Sequence, residues 1–224
     1  MFDSSSPPSA CPFCAIAAVH TSYDPSHPPP TVDQTLTSPS SFIVLSTPLL
    51  IAFLDIMPLS HGHLLLCPRA HRPKLTDATR QESLQLGDSV RILSAALARA
   101  TGVEDWNVLQ NNGAAAAQVV PHMHYHVIPR PEIRARGKGH ESFTMFGRGQ
   151  RGDLDEDEAV VLAGRIREEV ARVMREEEEE EGEEGDKDRI REAKKDIIGE
   201  DGKKKDRTRQ DEHQERPEEA KVKL

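Results

Sequence analysis

Between two prolines, the run Pro121-His122-Met123-His124-Tyr125-His126-Val127-Ile128-Pro129 puts a histidine at every second position. Successive side chains of an extended strand point to opposite faces. The spacing predicts a strand with His122, His124 and His126 on one face. Met123, Tyr125 and Val127 share the other, which suits a core. A helix would scatter the three imidazoles around its circumference. Three imidazoles along one strand face make either a metal cage or a nucleophile with helpers.

The residues upstream supply partners for such a strand. Phe42-Ile43-Val44-Leu45 and Leu50-Ile51-Ala52-Phe53-Leu54, broken by Thr47-Pro48, read as a hairpin. His63-Leu64-Leu65-Leu66-Cys67, closed by Pro68, is a third strand, and Trp106-Asn107-Val108-Leu109 a fourth. Residues 76–101 read as one long helix, with Leu86, Val90, Leu93 and Leu97 on one stripe, Thr76 as cap and Gly102 as stop. The expected fold class is α+β: a five-stranded, mostly antiparallel sheet with one long crossover helix. Residues 11–131 form this domain, with a Pro-rich insertion at 20–41.

The flanks have a different composition. Residues 1–10 are Ser/Pro-rich and expected to be disordered, and 132–152 read as a polar, Gly-rich loop. A second helix is expected over 153–175, capped by Asp155 and Glu158, with Leu162, Ile166, Val170 and Val173 as its apolar stripe. That stripe can pack on the domain, on a second subunit or on a partner. Residues 176–224 are a charged tail, expected to be disordered or partly helical, and Lys203-Lys204-Lys205 is a weak nuclear address.

A net charge of −9 argues against whole-chain attraction to nucleic acid or anionic lipid. Three cysteines make no disulfide framework. No apolar run reaches the ~18 residues needed to span a bilayer, and no secretory signal is visible. The expected location is the cytosol or the nucleus.

A neutral imidazole can attack phosphorus and form a covalent phosphohistidine. A hydrogen bond at its other nitrogen must hold the ring so that the lone pair is aimed. The loop before the strand, Gly113 and four alanines, leaves room for backbone N–H groups to approach phosphate oxygens. Asn111 and Gln118 add side-chain donors. Asp55 can accept both hydroxyls of a ribose, or can serve as a turn aspartate. His63 follows Gly62, which allows close backbone approach.

These residues resemble the histidine-triad (HIT) superfamily. The resemblance rests on His122-x-His124-x-His126 before Val-Ile-Pro-Arg, on Asn111-x-Gly113 and Gln118, on Phe53-x-Asp55-Ile56-x-Pro58, on Gly62-His63-x-Leu65-x-x-Pro68, and on Cys11-Pro-Phe-Cys14. It covers about residues 11–131. The branch most similar is the Hint group, with its fungal adenosine 5′-monophosphoramidases. The resemblance implies a homodimer with joined sheets and one purine-nucleotide site per subunit. It implies hydrolysis of the P–N bond of adenosine phosphoramidates to AMP and an amine. His124 would be the nucleophile, with His126, His122 and His63 as catalytic neighbours. Asn111, Ala117, Gln118 and Val119 would hold the α-phosphate, with His124 and His126. Asp55 would bind the ribose hydroxyls with Ile56 beside it, and Phe13 and Ile16 would pack near the base. A zinc-bearing subset implies a structural zinc on Cys11, Cys14, His71 and His122, a set of suitable softness and number. No metal is needed for the chemical step.

Two positions depart from the family. Ala117 stands where glycine is usual, and Val119 where the Hint branch often has serine. Three other readings compete: a dinucleoside polyphosphate (Ap3A or Ap4A) hydrolase, a catalytic metal cage of the three triad histidines, and a nucleotide-binding interaction protein whose tail recruits partners.

Overall fold

The computed structural model describes residues 10–130 and 152–211, the final helix without its side chains at 186, 188 and from 190 onward. The expectations for 1–9, 131–151 and 212–224 lie outside the described residues. The chain divides into two compact units, Met1–Glu176 and Glu177–Leu224.

The first unit is built on strands β1 (Ile43–Ser46), β2 (Leu50–Leu54), β3 (Leu64–Pro68), β4 (Trp106–Gln110) and β5 (Tyr125–Pro129). Their order is β1-β2-β3-β5-β4, and every neighbouring pair is antiparallel. β3 and β4 flank β5 and so run parallel to each other. A parallel pair needs a long crossover, supplied by helix α2 (Arg80–Thr101). Helix α1 (Pro12–Val19) carries the N-terminal residues of the site.

All residues of β1, β2 and β3 are buried. This reflects a sheet covered on both faces. Leu50, Ala52, Leu54, Leu64, Leu66 and Val127 face α2 in the larger core. Ile51, Phe53, Leu65 and Cys67 face the other way, towards Cys11 and Phe13. Met123 joins the first cluster, as the period of two predicts. The triad face is therefore the α1 side of the sheet.

Two boundaries differ from the sequence reading. α2 begins at Arg80, not at 76. Leu75–Asp77 form a short 3-10 turn, and the cap is Thr79. Thr79 Oγ1 accepts from the Glu82 N–H at 3.2 Å, and Glu82 accepts from the Thr79 N–H at 2.7 Å. Thr76 lacks a Glu or Gln three residues on, so only Thr79 can close this box. The histidine strand is also shorter. β5 opens at Tyr125, and His122 to His124 are its lead-in. There the Met123 N–H bonds to the Arg72 carbonyl rather than to a strand.

The last helix, α3, spans Glu156–Asp211. Its start is capped as expected: Asp155 Oδ1 accepts from the Glu158 N–H at 2.9 Å. Leu162, Ile166, Val170 and Val173 are all buried in the α2-side core. That settles their partner as the domain itself. The helix continues beyond residue 175, the partly helical alternative for the tail. In the second unit the run Glu177–Glu181 consists of good helix formers, and Glu183 pairs with Lys187 at 3.2 Å. Among the described residues no helix is long and apolar enough to cross a membrane.

Candidate active site

Three chain segments converge on the triad. The β2–β3 turn brings Asp55 and His63 together, with the Asp55 N–H bonded to the His63 carbonyl at 2.9 Å. Gly62 makes this turn possible. Its φ is +86°, and a Cβ there would meet Leu97 Cδ1 at 3.1 Å and Pro129 Cγ at 3.4 Å. α1 lays Phe13 edge-on against Phe53, His122 and His124, with ring centroids 5.3, 5.7 and 5.1 Å apart. The loop from Asn111 to Val120 leads directly into the triad, and Val120 packs on the Phe13 cluster.

The three histidines have separate environments. His124 is buried, and its Nδ1 lies 2.7 Å from the carbonyl oxygen of His122. A carbonyl only accepts, so the Nδ1 proton is fixed and the ring lone pair sits on Nε2. The His126 ring lies 4.7 Å from that of His124, and its Nδ1 is 3.0 Å from His63 Nε2. His122 turns away from both. Its Nε2 bonds to the Pro68 carbonyl at 2.8 Å, which places the lone pair on Nδ1, facing the cysteines. Burial, reinforced by His71 and His124, pushes its pKa down to about 4 despite the Pro68 bond. His122 therefore holds the His124 ring through its backbone carbonyl, while its own ring faces the cysteines. The three rings do not converge on one point, so the metal-cage reading fails.

Cys11, Cys14, His71 and His122 do converge. Cys11 Sγ and Cys14 Sγ lie 3.4 and 3.6 Å from His122 Nδ1, and Cys14 Sγ lies 3.3 Å from His71 Nδ1. A tetrahedral zinc, with bonds of ~2.3 Å to sulfur and ~2.0–2.1 Å to nitrogen, separates its ligand atoms by roughly 3.3–3.8 Å. The four donors fit that ion. Without a cation, burial and the neighbouring Cys11 push the Cys14 thiol up to about 12. Bound zinc would hold both sulfurs as thiolates and pin α1 to the strand lead-in.

The loop residues divide. Gln118 departs from its expected part. Its Oε1 accepts from the Gly113 N–H at 2.6 Å, and its Nε2 donates to the carbonyls of Pro73 and Val120 at 2.7 and 3.1 Å. Its side chain braces the loop instead of offering donors to phosphate. Asn111 has no such commitment among the described residues. Ala117 takes the left-handed conformation, φ 63°, where the family has glycine. Val119 stands 69% exposed. Asp55 is buried, with Oδ1 accepting from the Met57 N–H at 2.9 Å. Ile56 and Met57 beside it are exposed. Ile16 packs on the Phe13 cluster. Sequence reasoning missed Leu59, whose N–H donates to His63 Nδ1 at 3.2 Å. A main-chain donor leaves no residue signature.

Comparison with known proteins agrees with this geometry. Residues 37–133 match the HIT domain. An adenosine 5′-monophosphoramidase of Schizosaccharomyces pombe is 41% identical over 100 residues, 44% of this chain and 72% of that protein. An adenylylsulfatase of Arabidopsis thaliana is 44% identical over 82 residues, 37% of this chain and 42% of its own length. A histidine-triad nucleotide-binding protein of Sulfolobus tokodaii superposes with TM-score 0.50 at 25% identity, covering 60% of this chain and 86% of that one. The chain belongs to the HIT family. Its likeness to the Arabidopsis relative spans less than half of that protein.

Proposed function

We propose that this chain hydrolyses adenosine 5′-phosphoramidates to AMP and an amine through a nucleotidyl-histidine at His124. The observation that carries this is the 2.7 Å bond from His124 Nδ1 to the His122 carbonyl. It makes Nε2 the lone-pair nitrogen of a buried ring that follows a loop of small residues in the chain. His126 contacts the phosphate oxygens and the leaving group. Asn111 and the loop at Ala117 to Val119 hold the α-phosphate. Asp55 takes the ribose hydroxyls. Ile56 lies beside Asp55 at the ribose, and Phe13 and Ile16 line the base. Donors aimed at the developing charge lower the barrier further. A structural zinc on Cys11, Cys14, His71 and His122 holds this frame, and two copies join through β4.

The test is a substrate panel with one variant. An adenosine phosphoramidate should turn over faster than Ap3A, Ap4A or adenylyl sulfate. His124→Ala should lower turnover by at least about 10⁴-fold, with AMP binding retained. Preference for a dinucleoside polyphosphate would favour the competing hydrolase reading. Full activity in the variant would end the proposal.

A further inference from the structure

We propose that the groove between the Pro-rich insertion, the start of β1 and helix α3 binds a small aliphatic monocarboxylate, held by Arg167. The groove lies within the first compact unit and measures about 380 Å³. Pro30 and Val32 of the insertion, Phe42 and Ile43 at β1, and Val160 and Val161 of α3 form its apolar walls. None of its residues belongs to the nucleotide site. The insertion is fastened on both sides. The Tyr23 N–H bonds to the Ser46 carbonyl of β1 at 2.9 Å, and Arg175 Nη1 donates to the Ser26 carbonyl at 2.5 Å.

Arg167 lies at this groove and is only 7% exposed. A guanidinium has five N–H donors and keeps its charge in a protein. Here Nη1 is committed, donating to the Ile43 carbonyl at 2.7 Å. Among the described residues no carboxylate pairs with the group. A buried charge without a counter-charge is costly. Burial lowers the Arg167 pKa, and Tyr23 and Glu168 oppose that in part. Neither neutralises it. Burial pushes the Tyr23 phenol up to about 12, so it stays uncharged, and Glu168 is exposed at the rim and acts through space alone. Glu169 lies about 200° round the helix and pairs with Arg172.

The free donors of Arg167 point to where the missing anion sits. The buried side-chain atoms without a partner are Tyr23 Oη and Glu169 Oε2, among the described residues. Arg167 Nε and Nη2 also lack a protein partner, so they are open to solvent, and they open at the groove. Nη2 would lie 3.8 Å from a Cβ on Gly164, another residue of the lining. No side chain at 164 covers it. The charged lining is Arg165, Arg167 and Glu168, one net positive charge in a chain of net −9. The Nε–Nη2 edge of a guanidinium matches a carboxylate bidentately. The apolar walls fit a hydrocarbon body behind that head group. A dianion such as phosphate would set its second charge against Glu168 and those walls.

The experiment is calorimetric titration of the full chain with octanoate, octan-1-ol and octylamine, which share one body and differ in head group. Octanoate should bind at least about 10-fold tighter than the alcohol, the factor expected for a charge-assisted hydrogen bond. The amine should not bind. Arg167→Met should lower octanoate affinity by the same factor. Gly164→Met fills the groove beside Nη2 from a helical position where a Cβ meets Nη2 alone, and methionine is the better helix former. It should abolish octanoate binding with the thermal midpoint kept, and it decides the matter if Arg167→Met does not fold. Equal affinity for acid and alcohol, unaltered octanoate binding to Gly164→Met, or no octanoate binding at millimolar concentration would overturn the proposal. So would displacement of octanoate by inorganic phosphate at equal concentration.

Discussion

His124 owes the position of its lone pair to one carbonyl oxygen two residues earlier in the chain. That tautomer was legible as a requirement, because three alternating histidines need an orienting bond, but not as a geometry. The bond forms because His122 to His124 leave the ladder and lead into β5, and periodicity alone cannot show where a strand begins to pair. Gln118 was misread for a related reason. An amide is both donor and acceptor, and only the folded loop shows that Gly113, Pro73 and Val120 already use it. A different buried imidazole makes a prediction at this scale. His20 bonds to Ser41 at 2.8 Å, and burial, aided by Arg69, holds its pKa below the ordinary 6.5. The unfolded chain therefore takes up the proton more readily. The contribution of His20 to stability is present above pH ~6.5 and is lost as the pH falls through that value towards the lower folded one. Thermal midpoints measured from pH 7.5 to 5 should fall less steeply in His20→Gln, which can keep the Ser41 bond. Parallel curves would contradict this.

The elements divide between those the sequence specified and those it blurred. β2 and β3 were readable because both faces are buried and the runs are apolar throughout. The α3 stripe was readable because four apolar residues recur at helical spacing. Its partner was not, since an apolar face looks the same whether it meets its own domain or another chain. The start of α2 was missed by weighing Thr76 as a cap without its fourth residue; Thr79-x-x-Glu82 held the signal. β4 carries the prediction at this scale. It is an outer strand of the sheet, and Trp106 and Val108 on it are each 40% exposed. The opposite edge, β1, is partly covered: the Tyr23 N–H bonds to the Ser46 carbonyl at 2.9 Å, and Arg167 to that of Ile43 at 2.7 Å. Open edges with apolar side chains invite pairing. The chain should sediment as a dimer, and Val108→Glu should shift it to monomer. A monomeric unaltered chain at micromolar concentration would contradict pairing through β4.

At the scale of the molecule, the cysteine–histidine centre and the catalytic centre share a backbone. His71 contacts the cysteines, the Arg72 carbonyl receives the Met123 N–H, and the Pro73 carbonyl receives Gln118. One segment thus ties the donor set, the strand lead-in and the loop at Gln118 together. Metal analysis of the purified chain should find one zinc per subunit, and Cys14→Ser should deplete it. Chelation should lower the thermal midpoint and leave early turnover largely intact, as expected of an ion that would brace the frame and take no part in the chemistry. A chelator that abolishes turnover at once with an unchanged midpoint would contradict this. All of it serves one imidazole, and the most direct measurement maps the bond that imidazole makes. Rapid quench of the chain with an adenosine phosphoramidate, followed by peptide mass mapping, should find an adenylyl group on His124. An adduct on any other residue, or turnover with no adduct at any time point, would contradict the account.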